Sequence, residues 1–253
     1  MKLLGSVGIA LVLASCGAGG TTLSVGTAAQ WVLLDLPALN AFVRLTNQTV
    51  AFVNERVPGS AVPALPELRG GMGLRLGESL GGTWRLGVGM ALVTTSSRVQ
   101  GGWAQGEQTH PVAVALDASL VALGLDLAVE VVPGLLGITL SVGWGLTRVG
   151  YRCEFPRTLP TDWSLPFLPK NEDRTYAGAG PVGSVAVGLS LPLGRGAGVG
   201  VEMGFRLAQP GIPRAGTAVL DLNSDGLGDP VGFSGLWVGV AVRIEFHLGG
   251  GVR

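Results

Sequence analysis

Hydrophobic residues alternate with small or polar residues along much of the chain, most regularly in the segment 235–248. One face of this segment, drawn as an extended strand, is apolar: Leu236, Val238, Val240, Val242, Ile244 and Phe246. The other face carries Trp237, Gly239, Ala241, Arg243, Glu245 and His247. Such a strand fits a half-buried soluble sheet, and it equally fits a strand with lipid on one side and a polar lumen on the other.

The same period-two pattern predicts seven further strands, which makes eight. They lie at 21–34, 72–77, 84–92, 112–131, 138–147, 184–191 and 199–207. Within 112–131 the apolar residues change from even to odd positions. A β-bulge near Val121 would explain this change of parity, and we predict one there.

The predicted connections alternate between long and short along the chain. They are 35–70, 80–83, 95–110, 133–136, 152–175, 194–198 and 209–232. The first long connection contains one predicted helix, 36–57, with Asp35 as its cap and Pro37 in its first turn. Four long loops at one end and three tight turns at the other predict an all-β, antiparallel up-and-down barrel.

Charged residues decide between a soluble barrel and a membrane barrel. The inner parity collects Arg75, Arg85, Asp117, Asp126, Glu130, Glu202, Arg206, Arg243 and Glu245, whereas the outer parity carries no charge over the same spans. Burial of so many charges in a soluble core would cost much desolvation energy, but charges of both signs can pair in a narrow polar lumen. We therefore predict lumen charges at Arg75, Arg85, Asp117, Glu202, Arg206, Arg243 and Glu245. Membrane-spanning helices are disfavoured because acidic residues, Pro133 and many glycines interrupt the apolar stretch 112–146.

Composition and the N-terminus add a location. Glycine contributes 43 of 253 residues, charged residues are 13%, and the formal net charge is zero, which argues against a nucleic-acid partner. Residues 1–18 have the basic start, apolar run and small residues of a secretory signal peptide. The signal ends in 13–16 like a lipoprotein signal, with Cys16 as the candidate lipidation site. Ordinary cleavage at 14–18 is the alternative, and the only other cysteine is Cys153.

With these features the chain resembles the small eight-stranded bacterial outer-membrane β-barrels of the OmpA/OmpX type. The resemblance covers residues 20–248, taken as one barrel domain, and depends on strand pattern, secretion signal and turn asymmetry. It implies a bacterial cell outer-membrane location, both termini in the periplasm and extracellular long loops. It also implies two partners, outer-membrane lipid and the barrel assembly machinery. The terminal strand departs from the family pattern, because 247–253 follow the aromatic Phe246 that should end the chain.

Candidate sites for chemistry are few. Asp221, Asn223 and Asp225 have the alternate spacing of a calcium loop, but Gly232 occupies the position of the usual bidentate glutamate. His110 with Ser96 or Ser97 could imitate the catalytic groups of a lipid-modifying barrel enzyme. Trp103 and Trp163 are predicted to lie at the membrane interface.

The sequence therefore predicts a non-enzymatic, porin-like barrel with a structural or surface-interaction role through its long loops. One alternative is a narrow pore or carrier for small or lipophilic solutes, with the helix as its lid. A second alternative is a lipid-modifying enzyme. No cofactor is expected apart from the calcium candidate, and the pattern does not identify a surface ligand.

Overall fold

A computed structural model describes residues 21–105, 108–156, 165, 167–194 and 196–248. Its elements are β1 (Thr21–Asp35), α1 (Pro37–Arg56), β2 (Gly70–Gly81), β3 (Trp84–Gln105), β4 (Gln108–Val132), β5 (Leu136–Glu154), β6 (Glu172–Gly194), β7 (Ala197–Ala208), β8 (Arg214–Ala215), β9 (Ala218–Val219) and β10 (Ser234–Leu248). The predicted signal peptide with Cys16, and also Trp163, lie outside the described residues.

Eight long antiparallel strands close into a ring. Each of β1 to β7 pairs with its neighbours in the chain, and β10 pairs with both β7 and β1. The two-residue strands β8 and β9 form a small hairpin beside β6. The predicted eight-stranded up-and-down barrel, with one helix in the first long connection, is confirmed.

An apolar belt surrounds the outside of the ring. It covers Val121–Val131 in β4, Ile138–Leu146 in β5 and Leu236–Phe246 in β10, where outward side chains are large, apolar and mostly exposed. Spans of this kind match the roughly 9–11 residues with which a tilted strand crosses a bilayer. Because ring closure also leaves no strand edge unpaired within the belt, the belt faces lipid, as in a transmembrane β-barrel.

Strands β3 to β6 continue well beyond the belt on the side of the long connections. We call the parts above the belt, 93–105, 108–120, 147–154 and 172–178, together with the segments that they enclose, the tower. The prediction of loops at 95–110 and 152–175 was wrong in part, because β3 and β4 meet near their tips and β5 and β6 extend to Glu154 and from Glu172. The polar residues of these segments, which suggested loops, lie on the outer, water-exposed face of strands.

Strand β4 shows how the tower differs from the membrane part. Its register with β3 and β5 is continuous through Val121, and the one irregularity lies between Glu130 and Val132. The predicted bulge near Val121 is therefore wrong. The odd residues of β4 face outward along the whole strand. In the belt the apolar residues are the odd ones, because lipid lies outside. In the tower they are the even ones, because a protein core lies inside. Leu116 and Leu120 are fully buried inside the tower.

Helix α1 begins directly after β1. Asp35 is the last residue of β1 and does not cap the helix, since the N-cap position is Leu36 and makes no side-chain hydrogen bond. Pro37 occupies the first turn as predicted. Among the described residues, no helix has both the length and the apolar character needed to cross a membrane.

Candidate functional site

Helix α1 stands upright inside the tower. It has 20 residues, so it is about 30 Å long, which is comparable to the height of the β3 wall above the belt. Its buried residues form a stripe at helical spacing: Leu39, Phe42, Val43, Thr46, Thr49, Val50 and Val53. The face with Arg44, Gln48 and Glu55 remains exposed. The helix therefore fills the mouth of the barrel from inside.

Three asparagines bind the helix to the connector 57–69. The side-chain amides of Asn40, Asn47 and Asn54 each pair with both backbone groups of one connector residue, respectively Leu68, Leu65 and Val62. Seven helical residues rise about 10.5 Å, and three residues of an extended proline-rich chain rise about 9 Å. The two spacings match, so a repeated bidentate contact holds the connector antiparallel to the helix.

The connector is in turn fixed to the inner face of β3. Ser97 Oγ donates to the carbonyl of Pro66 (2.5 Å), and Thr95 Oγ1 donates to the carbonyl of Gly70, the first residue of β2, directly after the connector (2.6 Å). Higher up, Ala61 and Gly102 form a β-bridge. The wall, the connector and the helix are thus three consecutive layers.

Aromatic side chains complete the core of the tower. Phe42 makes edge-to-face contacts with Tyr151 (5.4 Å between ring centroids) and Phe167 (5.9 Å). Trp103 packs against Phe155 and is 3% exposed. The prediction that Trp103 lies at the membrane interface is therefore wrong, because its inward position places it in this core. Among the tryptophans that the structure describes, Trp31, Trp84 and Trp144 face outward and are exposed.

Replacing Asn47 by alanine is expected to loosen the connector. The change removes two hydrogen bonds, 2.7 and 2.9 Å long, and leaves the N–H and carbonyl of buried Leu65 without partners. Each unsatisfied buried group costs about 1–3 kcal/mol. Hydrogen exchange of the Leu65 amide should accelerate strongly, whereas exposed Gln48→Ala should leave it unchanged. Equal protection in both variants would contradict this role of Asn47.

Ion pairs fill the lumen below the tower. Arg75 contacts Asp126 and lies 3.7 Å from Glu202, while Arg85 contacts Glu130 and lies 3.0 Å from Glu245. Arg243 lies 4.0 Å from Glu245, and Arg206 donates a hydrogen bond to Gln30 (3.1 Å). Inward charges of the described strands within the belt therefore balance, with four arginines and four carboxylates. The lumen spaces that they line are small, about 80, 50 and 40 Å³.

Asp117 is the exception among the predicted lumen charges. It has the odd parity of β4, faces outward and binds Arg98 with both carboxylate oxygens, at 2.8 and 2.9 Å. The prediction that Asp117 lies in the lumen is wrong for the same reason as the bulge, since the apolar set changes face above the belt. Glu78 also faces outward, near the short turn after β2 and just beyond the predicted span 72–77, so the outer face of the observed strand carries one charge there.

The histidine and serine candidates do not form one site. His110 is paired in register with Trp103, whereas Ser96 and Ser97 are paired with Asp117 and Leu116. Six to seven residues of strand separate them along β3, which corresponds to about 20 Å. Ser97 already donates its hydroxyl proton to Pro66.

Each of the three side chains of the predicted calcium loop accepts at least one hydrogen bond from the loop itself, and Asp221 Oδ1 is buried without a hydrogen-bond partner among the described residues. Gly226 N–H donates to Asp221 (3.0 Å), Asp225 N–H to Asn223 (3.1 Å) and Leu227 N–H to Asp225 (2.7 Å). In the described part of the chain no three acidic, histidine or cysteine side chains are placed to hold a metal ion. These side chains therefore act here as turn caps, and calcium binding stays a prediction of the sequence.

Solved outer-membrane proteins are similar to this chain in fold. Neisserial surface protein A (NspA) shares 13% identity over 90% of this chain and 100% of its own, with a TM-score of 0.42. Ail, the attachment invasion locus protein of Yersinia pestis, shares 9% over 90% of this chain and 100% of its own (TM-score 0.39), in a structure with the heparin analogue sucrose octasulfate. The outer membrane protease OmpT from Escherichia coli shares 10% over 92% and 98% (TM-score 0.37).

No protein-family model matches the chain, and no curated protein matches its sequence. The likeness to the solved structures concerns the fold. Because an attachment protein and a protease are both among these neighbours, the fold alone does not select a role.

Proposed function

We propose that this protein is a closed, non-enzymatic outer-membrane barrel that presents a rigid tower at the cell surface for structural support or surface interaction. The observation that carries the proposal is the apolar core of the tower, in which α1 and its connector occupy the mouth. A surface that must keep its shape benefits from such a core, because ordered loops lose less conformational entropy when they bind.

Two separate layers support closure over conduction. The upper layer is the packed helix and the lower layer is the balanced set of ion pairs in the lumen. A pore or carrier would need both to move, and removal of α1 would expose a buried apolar stripe to water. The arrangement therefore favours the surface role over the pore or carrier.

The enzyme hypothesis receives no support from the geometry. A general base must lie within hydrogen-bond reach of the group that it activates, and His110 lies far from both candidate serines. The other histidine, His247, belongs to the periplasmic end of β10, where it pairs with Thr22.

Conductance in planar bilayers tests the proposal. Folded protein, inserted at amounts that give steps with a known porin, is expected to give no steps at 100 mV in 1 M KCl. Omitting the protein provides the background, and heat-modifiable gel migration verifies that the inserted barrel is folded. Stable, reproducible steps from the folded protein would refute closure and favour the pore.

A further inference from the structure

Three buried nitrogen atoms that can donate hydrogen bonds lack a partner among the described residues at the upper end of the lumen. They are Gln30 Nε2, Arg206 Nη1 and Trp237 Nε1, near the tower-side ends of β1, β7 and β10. The three residues are 2–4% exposed. We infer that they belong to a binding site for a small monovalent anion of the halide class, such as chloride, with Arg206 as its charged ligand.

Arg206 is the lumen arginine that lacks a carboxylate. Arg75, Arg85 and Arg243 each lie within 4.0 Å of at least one carboxylate oxygen. No carboxylate of the described residues comes this close to Arg206, whose hydrogen bond goes to the neutral side chain of Gln30 (3.1 Å). A buried charge without an opposite charge is strongly unfavourable, so the site favours a counterion from outside the chain.

A small cavity beside Arg206 has room for such an ion. It measures about 40 Å³, and Arg206, Trp237, Ser141 and Ser184 are among the residues that border it. Ser141 pairs in register with Ser184, and Ser184 pairs with Arg206, so the two hydroxyls and the guanidinium lie on adjacent strands. Because one water needs about 10–15 Å³, the space accepts a monatomic ion and excludes organic ligands.

Two acidic side chains of this part of the lumen are engaged elsewhere. Asp126 also borders the cavity, and its carboxylate contacts Arg75. Glu202 lies four residues before Arg206 on β7, roughly 13 Å along the strand, and its carboxylate is 3.7 Å from Arg75. Both carboxylates are thus held at Arg75, which leaves the positive charge of Arg206 for an added anion.

Packing holds the indole of Trp237 beside this arginine. Trp237 pairs in register with Gly204 on β7, where an added Cβ would come within 2.8 Å of the indole carbons Cε2 and Cζ2. Gly204 lies two residues from Arg206 on the same inward face. The absence of a side chain at Gly204 therefore lets the indole lie against β7, next to the guanidinium.

A halide suits these donors better than water does. Guanidinium and indole nitrogens only donate hydrogen bonds, and serine hydroxyls can donate as well, whereas a halide only accepts them. A water molecule could also accept two of these hydrogen bonds, but it carries no charge and would leave Arg206 uncompensated. The difference is decisive here, because Coulomb attraction is much stronger in a buried site than in bulk water.

Tryptophan fluorescence of the folded barrel in nonionic detergent tests the inference. Sodium bromide is titrated against sodium gluconate at constant ionic strength, since bromide quenches an indole that it contacts and gluconate is too large for the cavity. Wild-type protein should show a saturable quenching component that chloride displaces, and Trp237→Phe should lack it. Arg206→Met should bind bromide about tenfold more weakly, as expected for loss of a charge-assisted contact. Arg243→Met, the matched control, removes the same charge from the lumen and should behave like wild type.

Urea unfolding provides a second readout. At a chloride concentration roughly ten times the dissociation constant, the ratio of folded to unfolded wild type should be about tenfold higher than in gluconate. The same ratio for Arg206→Met should not depend on chloride.

The outcomes decide between the anion site and its alternatives. A wild type without saturable quenching would overturn the inference and assign the three donors to buried water. Equal loss of quenching in Arg206→Met and Arg243→Met would also overturn it, in favour of unspecific attraction to the lumen. Equal stabilisation by sulfate would do the same, in favour of a general salt effect. Arg206→Lys keeps the charge and should keep part of the binding, and it serves if heat-modifiable migration shows that the methionine variant does not fold.

Discussion

Replacing Arg75 by methionine is expected to lower the free energy of unfolding by about 3–5 kcal/mol, since it leaves buried carboxylates without their cation. Asp126 would lose its direct partner and Glu202 its neighbour at 3.7 Å. The side chains of this cluster are only 10–17% exposed, so water compensates little. Urea unfolding in lipid vesicles, followed by gel mobility, measures the change.

A matched pair outside the lumen provides the control. Arg98 and Asp117 form the same kind of contact with side chains 67% and 48% exposed, and exposed pairs contribute about 0–1 kcal/mol. Arg98→Met should therefore have little effect. Combining Arg75→Met with Asp126→Leu and Glu202→Met should restore much of the lost stability, because whole buried ion clusters are often replaced by apolar residues without loss. Similar effects of Arg75→Met and Arg98→Met would show that the ion pairs of the lumen are not shielded from water more than those of the outer surface.

Replacing Phe42 by alanine is expected to open the tower while the membrane part stays closed. Phe42 is 1% exposed and contacts both Tyr151 and Phe167. Loss of a buried phenylalanine costs about 3–5 kcal/mol, and the ring of strands does not depend on it. Phe52→Ala, which removes the same volume from a half-buried position of the same helix, should have a smaller effect.

Labelling of Cys153 reports this opening. The thiol is buried in the tower, and burial raises its pKa to about 11 from an ordinary value of 9.0. At pH 8 wild-type Cys153 should therefore react very slowly with a maleimide, and Phe42→Ala should accelerate the reaction strongly. Because the folded pKa is the higher one, the neutral thiol stabilises the tower below pH 9, and this contribution disappears as the pH rises toward 11. Fast labelling of the folded wild type at pH 8 would contradict the packed tower.

The eight strands were predictable because lipid imposes a strict period-two pattern on each membrane segment. The helix was predictable because its apolar residues recur at helical spacing after Pro37. The tower was not, because its strands are inverted, with apolar residues inside and polar ones outside. If β4 faced lipid along its whole length, the inward positions of Leu116 and Leu120 would require a change of register. The register is in fact continuous. What changes is the surroundings of the outer face, which is lipid in the belt and water in the tower.

The contacts between α1 and the connector had a signal in the sequence that was missed. Asn40, Asn47 and Asn54 recur every seven residues on the predicted helix, and the connector residues Val62, Leu65 and Leu68 recur every three. Either period alone is unremarkable, and only their matching rise identifies the contact. The lumen pairs were predictable by parity, but the partner of each arginine depends on strand register, which no pattern of one strand contains.

Spin-label accessibility along β4 tests the central claim most directly. Single cysteines at 115–125, in a background in which both natural cysteines are replaced (Cys16→Ser and Cys153→Ser), are spin-labelled and exposed to oxygen, which concentrates in lipid, or to a water-soluble nickel chelate. Leu123 and Leu125 should be accessible to oxygen, Ala115 and Asp117 to the chelate, and Leu116, Leu120 and Ala122 to neither. Chelate access to Leu116 with protection of Asp117, or protection of Leu123 from oxygen, would contradict a lipid-facing barrel that continues into a water-exposed tower.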